Sequence, residues 1–287
     1  MKNLHFTYLL IFAMFLWGGG WSALKILTYE MPMDIIIFWR FFIMSITFLP
    51  LLYFMKQPLT LSLRGTKFVL SSSVLNIAFM VSSFLGIRDG LAGDGGVIIT
   101  TLSPIITFLL VMIIFKTKLS RHQYFGLFIG LAGGIIMLKL DNINLFLESS
   151  NIYFLLCSII WAGVTILSQH SQKHIHPIHY SFYISVIATV ASYLYAFNSE
   201  LTTVFSQGWK FWTALIYLAV FGQTIATTIF FIASGKLGSE RTSSFMFLVP
   251  LFSILIAWII LDETTQLHIV LGGLMSLAAV YFINKRY

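Results

Sequence analysis

The chain consists of long apolar runs that are separated by short polar connections. We count ten runs, and none of the connections between them is long enough to hold a further domain. About 20 predominantly apolar residues are needed to cross a bilayer as a helix. A membrane β-barrel is disfavoured because its strands would alternate apolar and polar residues. The pattern therefore predicts an all-α integral membrane protein with ten transmembrane helices, at residues 6–25, 33–55, 67–86, 96–115, 121–139, 151–169, 178–197, 211–231, 241–261 and 266–284.

The composition places the chain in lipid. Of its 287 residues, 58% are hydrophobic and 9% are charged, whereas soluble domains carry about 25% charged residues. The single cysteine, Cys157, excludes an internal disulfide bond. The net charge of +7 does not indicate a nucleic-acid partner, because the basic residues are dispersed between the apolar runs. The expected surroundings are a lipid bilayer.

The charged residues predict the orientation of the spans. Lysine and arginine are enriched in the cytoplasmic loops of membrane proteins. If both termini are cytoplasmic, twelve of the 17 basic residues lie on the cytoplasmic side, together with only one of the 10 acidic residues, Glu240. We therefore predict that both termini are cytoplasmic.

The second half of the sequence repeats the first. Residues 102–134 align without a gap over residues 248–280 at a shift of 146, which pairs Pro104 with Pro250. Five spans per half is an odd number, so the second half must have the opposite orientation in the membrane. Inverted repeats are typical of secondary transporters, whose binding site lies near the midplane between the repeats.

These features resemble the drug/metabolite transporter superfamily and, within it, the EamA-like family. The resemblance covers nearly the whole chain and rests on residues that recur in both halves, an arginine in span two and an acid after span nine: Trp17-Gly18, Trp161-Ala162, Pro104, Pro250, Gly126, Gly272, Arg40 and Glu263. One position departs from the family pattern, since Thr117 stands where the first half often has an acid.

The resemblance implies two five-helix repeats, at residues 1–145 and 146–287, with the second inverted. It also implies a small-molecule substrate, no cofactor, and a multi-pass location in the cytoplasmic (inner) membrane of a bacterial cell. Nothing in the sequence indicates whether the protein self-associates.

Polar and aromatic residues inside the spans are candidates for a substrate cavity. An intramembrane charge such as Arg40 is a functional candidate by default, and it could meet a substrate carboxylate or pair with Asp34. The tryptophans could instead anchor helices at the interface, the amides could bond between helices, and the hydroxyls could bond to their own helix. The predicted substrate-binding residues are Trp17, Trp21, Arg40, Asn76, Ser83, Trp161, Gln223 and Thr227.

Three consecutive glycines, Gly18, Gly19 and Gly20, lie inside the first span. Glycine in a helix interior costs about 1 kcal/mol of stability relative to alanine, so we expect the three glycines to have a structural or functional role that offsets this cost. They would permit a hinge or a cavity wall, or alternatively close helix packing. Pro104 and Pro250 occupy equivalent positions in the two halves, and we group them with the glycines as candidate gating or hinge residues.

Asp94 and Glu240 stand at the beginnings of spans four and nine. Acids at helix N-termini are explained by the helix dipole, and proton exchange is the alternative. No carboxylate lies near the middle of any predicted span, which favours facilitated transport or exchange over obligate proton coupling. We expect no metal site, because the histidines of residues 170–179 have neither a cysteine nor an acid beside them.

The sequence therefore predicts a secondary carrier that moves a small organic solute, an amino acid or a related metabolite, by alternating access. Export is what the resemblance implies, and a proton-coupled drug or metabolite exporter is the alternative. A membrane-embedded enzyme is disfavoured, since neither a His-Glu-x-x-His motif nor paired intramembrane acids occur. A scaffold would have no use for an inverted repeat.

Overall fold

The computed structural model describes residues 2–56, 59–89, 92–138, 149–261 and 267–285. All regular structure in these residues is helical. The α-helices are α1 (Lys2–Glu30), α2 (Met33–Met55), α3 (Leu63–Asp89), α4 (Ala92–Phe115), α5 (Arg121–Met137), α6 (Ser149–Ser171), α7 (Pro177–Tyr195), α8 (Trp209–Ile216), α9 (Thr228–Leu237), α10 (Ser239–Ser244), α11 (Val249–Leu261) and α12 (Leu267–Asn284). Two 3₁₀ segments (Leu201–Ser206 and Phe245–Leu248) and a π-helix (Tyr217–Thr227) complete the list.

Several helices are long and apolar enough to cross a membrane. Within the described residues there are six: His5–Glu30, Met33–Met55, Leu63–Arg88, Asp94–Phe115, Asn151–Ser171 and Trp209–Leu237. They coincide with predicted spans one to four, six and eight. The other predicted spans fall on α5, α7, the succession from α10 to α11, and α12. The chain is an all-helical membrane protein over this part, and ten crossings with cytoplasmic termini stay a prediction.

Local sequence signals set several helix ends. Ser120 begins α5 with a capping box, in which its hydroxyl accepts from the backbone N–H of Gln123 and the Gln123 side chain accepts in return. Pro177 occupies the first turn of α7, where its missing N–H costs nothing. Gly238 has a φ of 96°, which separates α9 from α10.

The eighth predicted span is not a uniform α-helix. Between α8 and α9 the backbone widens into an 11-residue π-helix. The hydroxyls of Thr224 and Thr227 donate to carbonyls five residues earlier, those of Ala219 and Gly222. Because π-helical turns are rare and frequently mark functional sites, this segment is a place to look for one.

Contacts between helices join the two predicted halves in a symmetric pattern. α2 packs against α7, and α5 packs against α12. Both α3 and α4 pack against α6, while the π-helix and α11 pack in the same way against α1. Exchanging the first five predicted spans for the last five converts one set of contacts into the other. The predicted boundary near residues 145 and 146 lies outside the described residues.

Glycines bring α5 and α12 into backbone contact. A Cβ on Gly126 would lie 2.9 Å from the carbonyl oxygen of Ala279, and one on Gly272 would lie 2.6 Å from that of Gly133. Helices in membranes associate through such small residues because lipid supplies no hydrophobic drive between them. The close approach therefore joins the last helix of the first predicted half to the last helix of the second predicted half.

Large apolar side chains cover the outer surface of the bundle. Val74, Ile113 and Phe128 are 64%, 73% and 67% exposed. So many exposed large apolar side chains are unusual on a soluble monomer, and they fit contact with lipid chains. Many polar side chains lie inside, and a large share of these donate to their own helix, as the Thr165 hydroxyl does to the Trp161 carbonyl at 2.8 Å.

Candidate substrate-binding cavity

A cavity lies where the two predicted halves meet. Its volume is about 110 Å³, and its walls come from α1, α2, α3, α4, α6, the π-helix and residues 246–249. Because all of the long membrane-crossing stretches contribute to its walls, the cavity is central in the bundle. Its lining is predominantly apolar.

The structure gathers most of the predicted substrate-binding residues around this cavity. Seven of the eight line it: Trp17, Trp21, Arg40, Ser83, Trp161, Gln223 and Thr227. Asn76 is buried on α3 but is not among the lining residues, and its amide donates to the Ser72 carbonyl of its own helix at 2.8 Å. The binding role of these residues stays a prediction.

Indole and phenyl rings form one wall of the cavity. The indole N–H of Trp17 donates to the Gly222 carbonyl at 3.0 Å, which links α1 to the π-helix. The Trp17 ring meets the Trp161 ring edge to face, with centroids 5.3 Å apart. Trp161 in turn packs on Phe79 with centroids 5.0 Å apart. Aromatic pairs at these distances stabilise each other beyond simple area burial, so the wall holds a fixed shape.

Arg40 supplies the charge of the cavity. It is only 7% exposed. One terminal nitrogen donates to Gln223 Oε1 at 2.8 Å, the other donates to Met80 Sδ at 3.2 Å, and Nε has no partner. No carboxylate in the described part of the chain pairs with this guanidinium. The predicted alternative of a pair with Asp34 is therefore not formed, and the Asp34 carboxylate instead accepts from the Ser199 hydroxyl.

The hydroxyls around the cavity are oriented toward their own helices. Ser83 donates to the Met80 carbonyl at 2.8 Å, and Thr227 donates to the Gly222 carbonyl at 3.1 Å. Thr100 donates to the Gly96 carbonyl at 2.6 Å. Serine and threonine in helices commonly bond in this way. The charged and amide groups, rather than the hydroxyl hydrogens, are therefore the polar contacts open to a ligand.

Comparison with known proteins identifies the family. The EamA-like transporter family matches residues 6–139 and again residues 149–285. The chain belongs to this family. Among its relatives, an uncharacterized transporter of Synechocystis sp. is 26% identical over 316 residues, covering 99% of this chain and 91% of the relative. The uncharacterized transporter YoaV of Bacillus subtilis is 22% identical over 275 residues, covering 93% and 92%.

A third relative and a solved structure extend the comparison. An uncharacterized transporter of Archaeoglobus fulgidus is 23% identical and covers 97% of this chain and 96% of its own length. A crystal structure that is 15% identical superimposes with a TM-score of 0.77, covering 98% of this chain and 97% of the other. The family match and these relatives confirm the resemblance to the drug/metabolite transporter superfamily, and the solved structure shows that the fold is shared at low sequence identity.

Sequence reasoning missed much of the apolar lining of this EamA-like cavity. Leu24, Phe79, Met80, Leu218 and Met246 all contribute. Each is one apolar residue among many in an apolar helix, so no single-sequence signal distinguishes it. Met80 is identified only by its contact with Arg40.

The glycines of α1 lie at close helix contacts. A Cβ on Gly18 would be 2.7 Å from the Cβ of Phe252 on α11, and one on Gly19 would be 2.5 Å from the Tyr217 hydroxyl oxygen. Gly20 lines the cavity itself. α1 continues through all three residues without a break. Packing and cavity lining therefore account for the glycines in this state, and a gating role stays a prediction.

The two prolines differ in their effect on the backbone. Pro104 is buried inside α4, which remains one helix. Pro250 is buried in the first turn of α11, directly after the 3₁₀ segment. Since proline cannot donate to the Met246 carbonyl, that carbonyl accepts from Val249 instead. Pro250 thus explains the tightened turn beside the cavity, and the hinge role of both prolines stays a prediction.

The two predicted proton-coupling acids lie at helix starts. Asp94 is in the first turn of α4 and Glu240 is in the first turn of α10. Neither lines the cavity described above. Glu263, the acid that the resemblance places after span nine, lies outside the described residues. The equivalent position in the first predicted half is Thr117, which has no carboxyl group. Its hydroxyl donates to the Val111 carbonyl at 3.4 Å.

The histidine-rich turn between α6 and α7 is arranged by aromatic stacking and capping. The His170 ring stacks on Phe115 at a centroid distance of 4.8 Å. His176 caps α7 by accepting from the Ile178 N–H. Burial lowers the pKa of His176, and the positive charges of His179 and Lys236 lower it further. Among the described residues, no group of three or more potential metal ligands forms.

Proposed function

We propose that this EamA-like protein is a secondary transporter that moves a small organic solute, an amino acid or a related metabolite, through the central cavity, in the direction of export. The observation that carries the proposal is the position of Arg40 and three tryptophans around one cavity between the predicted halves. Ligand sites typically combine an apolar wall with a few polar groups that fix orientation. This cavity has both.

Alternating access between inverted repeats is the proposed mechanism. The exchange symmetry of the helix contacts supports it, because α1 meets the π-helix and α11 as α6 meets α3 and α4. In transporters with such repeats, one half rocks against the other around a central site. Trp17 and Trp161, which the repeat pairs with each other, also meet across this site.

Facilitated transport or exchange is favoured over obligate proton coupling. No carboxylate or histidine is among the described residues that line the cavity. Proton-coupled carriers usually place such a group along the substrate path. A proton-coupled drug or metabolite exporter is the second candidate, and it would use Asp94 and Glu240.

The test is uptake of labelled amino acids and amino-acid-derived acids by the purified protein in liposomes. We expect saturable flux that falls at least about tenfold in Trp17→Ala and in Gln223→Ala. Trp209→Ala is the matched control, since Trp209 is 73% exposed and lies outside the cavity. Equal flux in Trp17→Ala and Trp209→Ala would contradict the assignment of the cavity. No saturable flux of any solute would contradict the transporter.

A further inference from the structure

The cavity contains a buried positive charge that the protein does not neutralise. Arg40 is 7% exposed, and its hydrogen-bond partners are an amide and a thioether, both uncharged. Burying an ionised group without a counterion is costly, because the group loses its hydration. Arginine also retains its proton in proteins, so it does not escape the cost by becoming neutral. A bound anion would supply the missing counterion.

Two of the residues that line the cavity have hydrogen-bond donors without a partner. Among the described residues, Arg40 Nε and Trp161 Nε1 are buried donors without a partner. The amide oxygen of Gln223 already accepts a hydrogen bond from Arg40. The Gly222 carbonyl accepts from both Trp17 and Thr227, which fills its two lone-pair positions. The arrangement therefore suits a ligand that accepts hydrogen bonds.

Among the described residues, the same cavity has no carboxylate that would balance a cationic ligand. Its described lining contains Arg40 but neither aspartate nor glutamate. An amino acid whose carboxylate met the guanidinium would carry its ammonium group only a few ångströms farther away. That ammonium would lose its hydration, find no carboxylate, and feel repulsion from Arg40. An ammonium group on the ligand should therefore weaken its binding in this cavity.

We propose that the cavity selects aromatic carboxylates that lack an ammonium group, so that deaminated aromatic acids are bound in preference to aromatic amino acids. This inference rests on the proposed transport function and narrows its substrate class. Arg40 holds the carboxylate, and the rings of Trp17 and Phe79 pack on the aromatic part.

Four ligands that share a phenylethyl group test the effect of the charge. They are 3-phenylpropionate, 2-phenylethanesulfonate, phenylalanine and 2-phenylethylamine. Binding to the full-length protein in nanodiscs is followed by quenching of intrinsic tryptophan fluorescence. Flux into liposomes is measured for the sulfonate, because it is a permanent anion and does not leak across lipid as a neutral acid. We expect both anions to bind at least about tenfold more tightly than phenylalanine, which corresponds to about 1.4 kcal/mol.

Variants of Arg40 test whether this residue causes the preference for anionic ligands. Arg40→Gln should abolish the preference for the anions over phenylalanine. Arg40→Lys should keep the preference with weaker binding, since lysine lacks the planar fork that holds a carboxylate. Lys210→Gln is the matched control, because it removes one positive charge at an exposed position outside the cavity. If Arg40→Gln does not fold, the ligand series on the unaltered protein and on Arg40→Lys decides the question.

The outcomes separate the two proposals. If phenylalanine is transported and binds as tightly as 3-phenylpropionate, the ammonium penalty is absent and the substrate class is wrong, while the transport function stands. If the preference for anions persists in Arg40→Gln, Arg40 is not the residue that selects anionic ligands. If none of the four ligands binds while other solutes are carried, the aromatic class is wrong. If no solute binds or moves, the transport function itself fails.

Discussion

At the scale of single residues, the contact between Arg40 and Gln223 sets the charge of the cavity. Gln223 Oε1 lies 2.8 Å from an Arg40 nitrogen, so Gln223→Glu would place a carboxylate beside the guanidinium with little change of shape. A charge-assisted pair would then neutralise the cavity. We expect aromatic anions to bind at least about tenfold more weakly, while the melting temperature stays the same or rises because the charge is paired. Fluorescence quenching and thermal unfolding measure the two effects.

Gln207→Glu is the control for this change, since it adds the same charge in a turn outside the cavity. It should leave anion binding unchanged. Undiminished anion binding in Gln223→Glu would contradict the idea that Arg40 faces the ligand as an uncompensated cation.

Residue type made part of this site predictable. Arginine, glutamine and tryptophan are costly or unusual in the middle of a membrane helix, so Arg40, Gln223 and Trp17 were distinguishable within apolar runs. Asn76 had the same signal but bonds to its own helix, because a polar group in lipid is satisfied by any nearby carbonyl. Whether a polar residue lines the cavity or bonds to its own helix depends on how the helix is rotated about its axis. A single sequence does not define that rotation.

At the scale of helices, the glycines of α1 determine how closely α11 approaches. Gly18→Ala would place a Cβ 2.7 Å from Phe252 Cβ and 3.0 Å from the Phe252 backbone carbon. Neither atom is the end of a flexible side chain, so α11 must shift. Overpacking of this kind costs about 1–3 kcal/mol of stability. Replacing glycine by alanine gains at most about 1 kcal/mol of helix propensity, so the net effect should be a loss of stability. We expect a lower melting temperature in detergent.

Gly208→Ala is the matched control for Gly18→Ala. Nothing lies within 4 Å of a Cβ at that position, and its φ of −76° suits any residue. The control should melt within a degree or two of the unaltered protein. A melting temperature for Gly18→Ala that equals or exceeds that of Gly208→Ala would show that close packing is not what the glycine provides.

The helices themselves were predictable, but the π-helix was not. Predicted span two, residues 33–55, coincides with Met33–Met55, because hydropathy and length decide where a membrane helix lies. The π-helix falls inside the predicted eighth span, where composition gives no sign of it. Its turns depend on tertiary contacts such as the bond from the Trp17 indole to the Gly222 carbonyl. Sequence periodicity contains no record of such a bond.

At the scale of the whole molecule, the distribution of titratable groups bears on energy coupling. The described cavity lining holds no carboxylate or histidine, and Asp94 and Glu240 stand at helix starts away from it. Arg40 keeps its proton throughout the physiological range. The described lining of the cavity therefore contains no group that takes up and releases a proton near neutral pH.

We accordingly expect transport in liposomes to continue at an unchanged initial rate when an ionophore collapses the pH gradient. Asp94→Asn and Glu240→Gln should each retain at least about half of the flux, because each neutral side chain keeps the shape of the original and the dipole interaction that it removes is about 0.3–1 kcal/mol. 2-Phenylethanesulfonate is the solute to use, since its own charge does not change with pH. Flux that requires the gradient and disappears in Glu240→Gln, but persists in the exposed-site variant Lys210→Gln, would instead identify Glu240 as a proton carrier and favour the proton-coupled exporter.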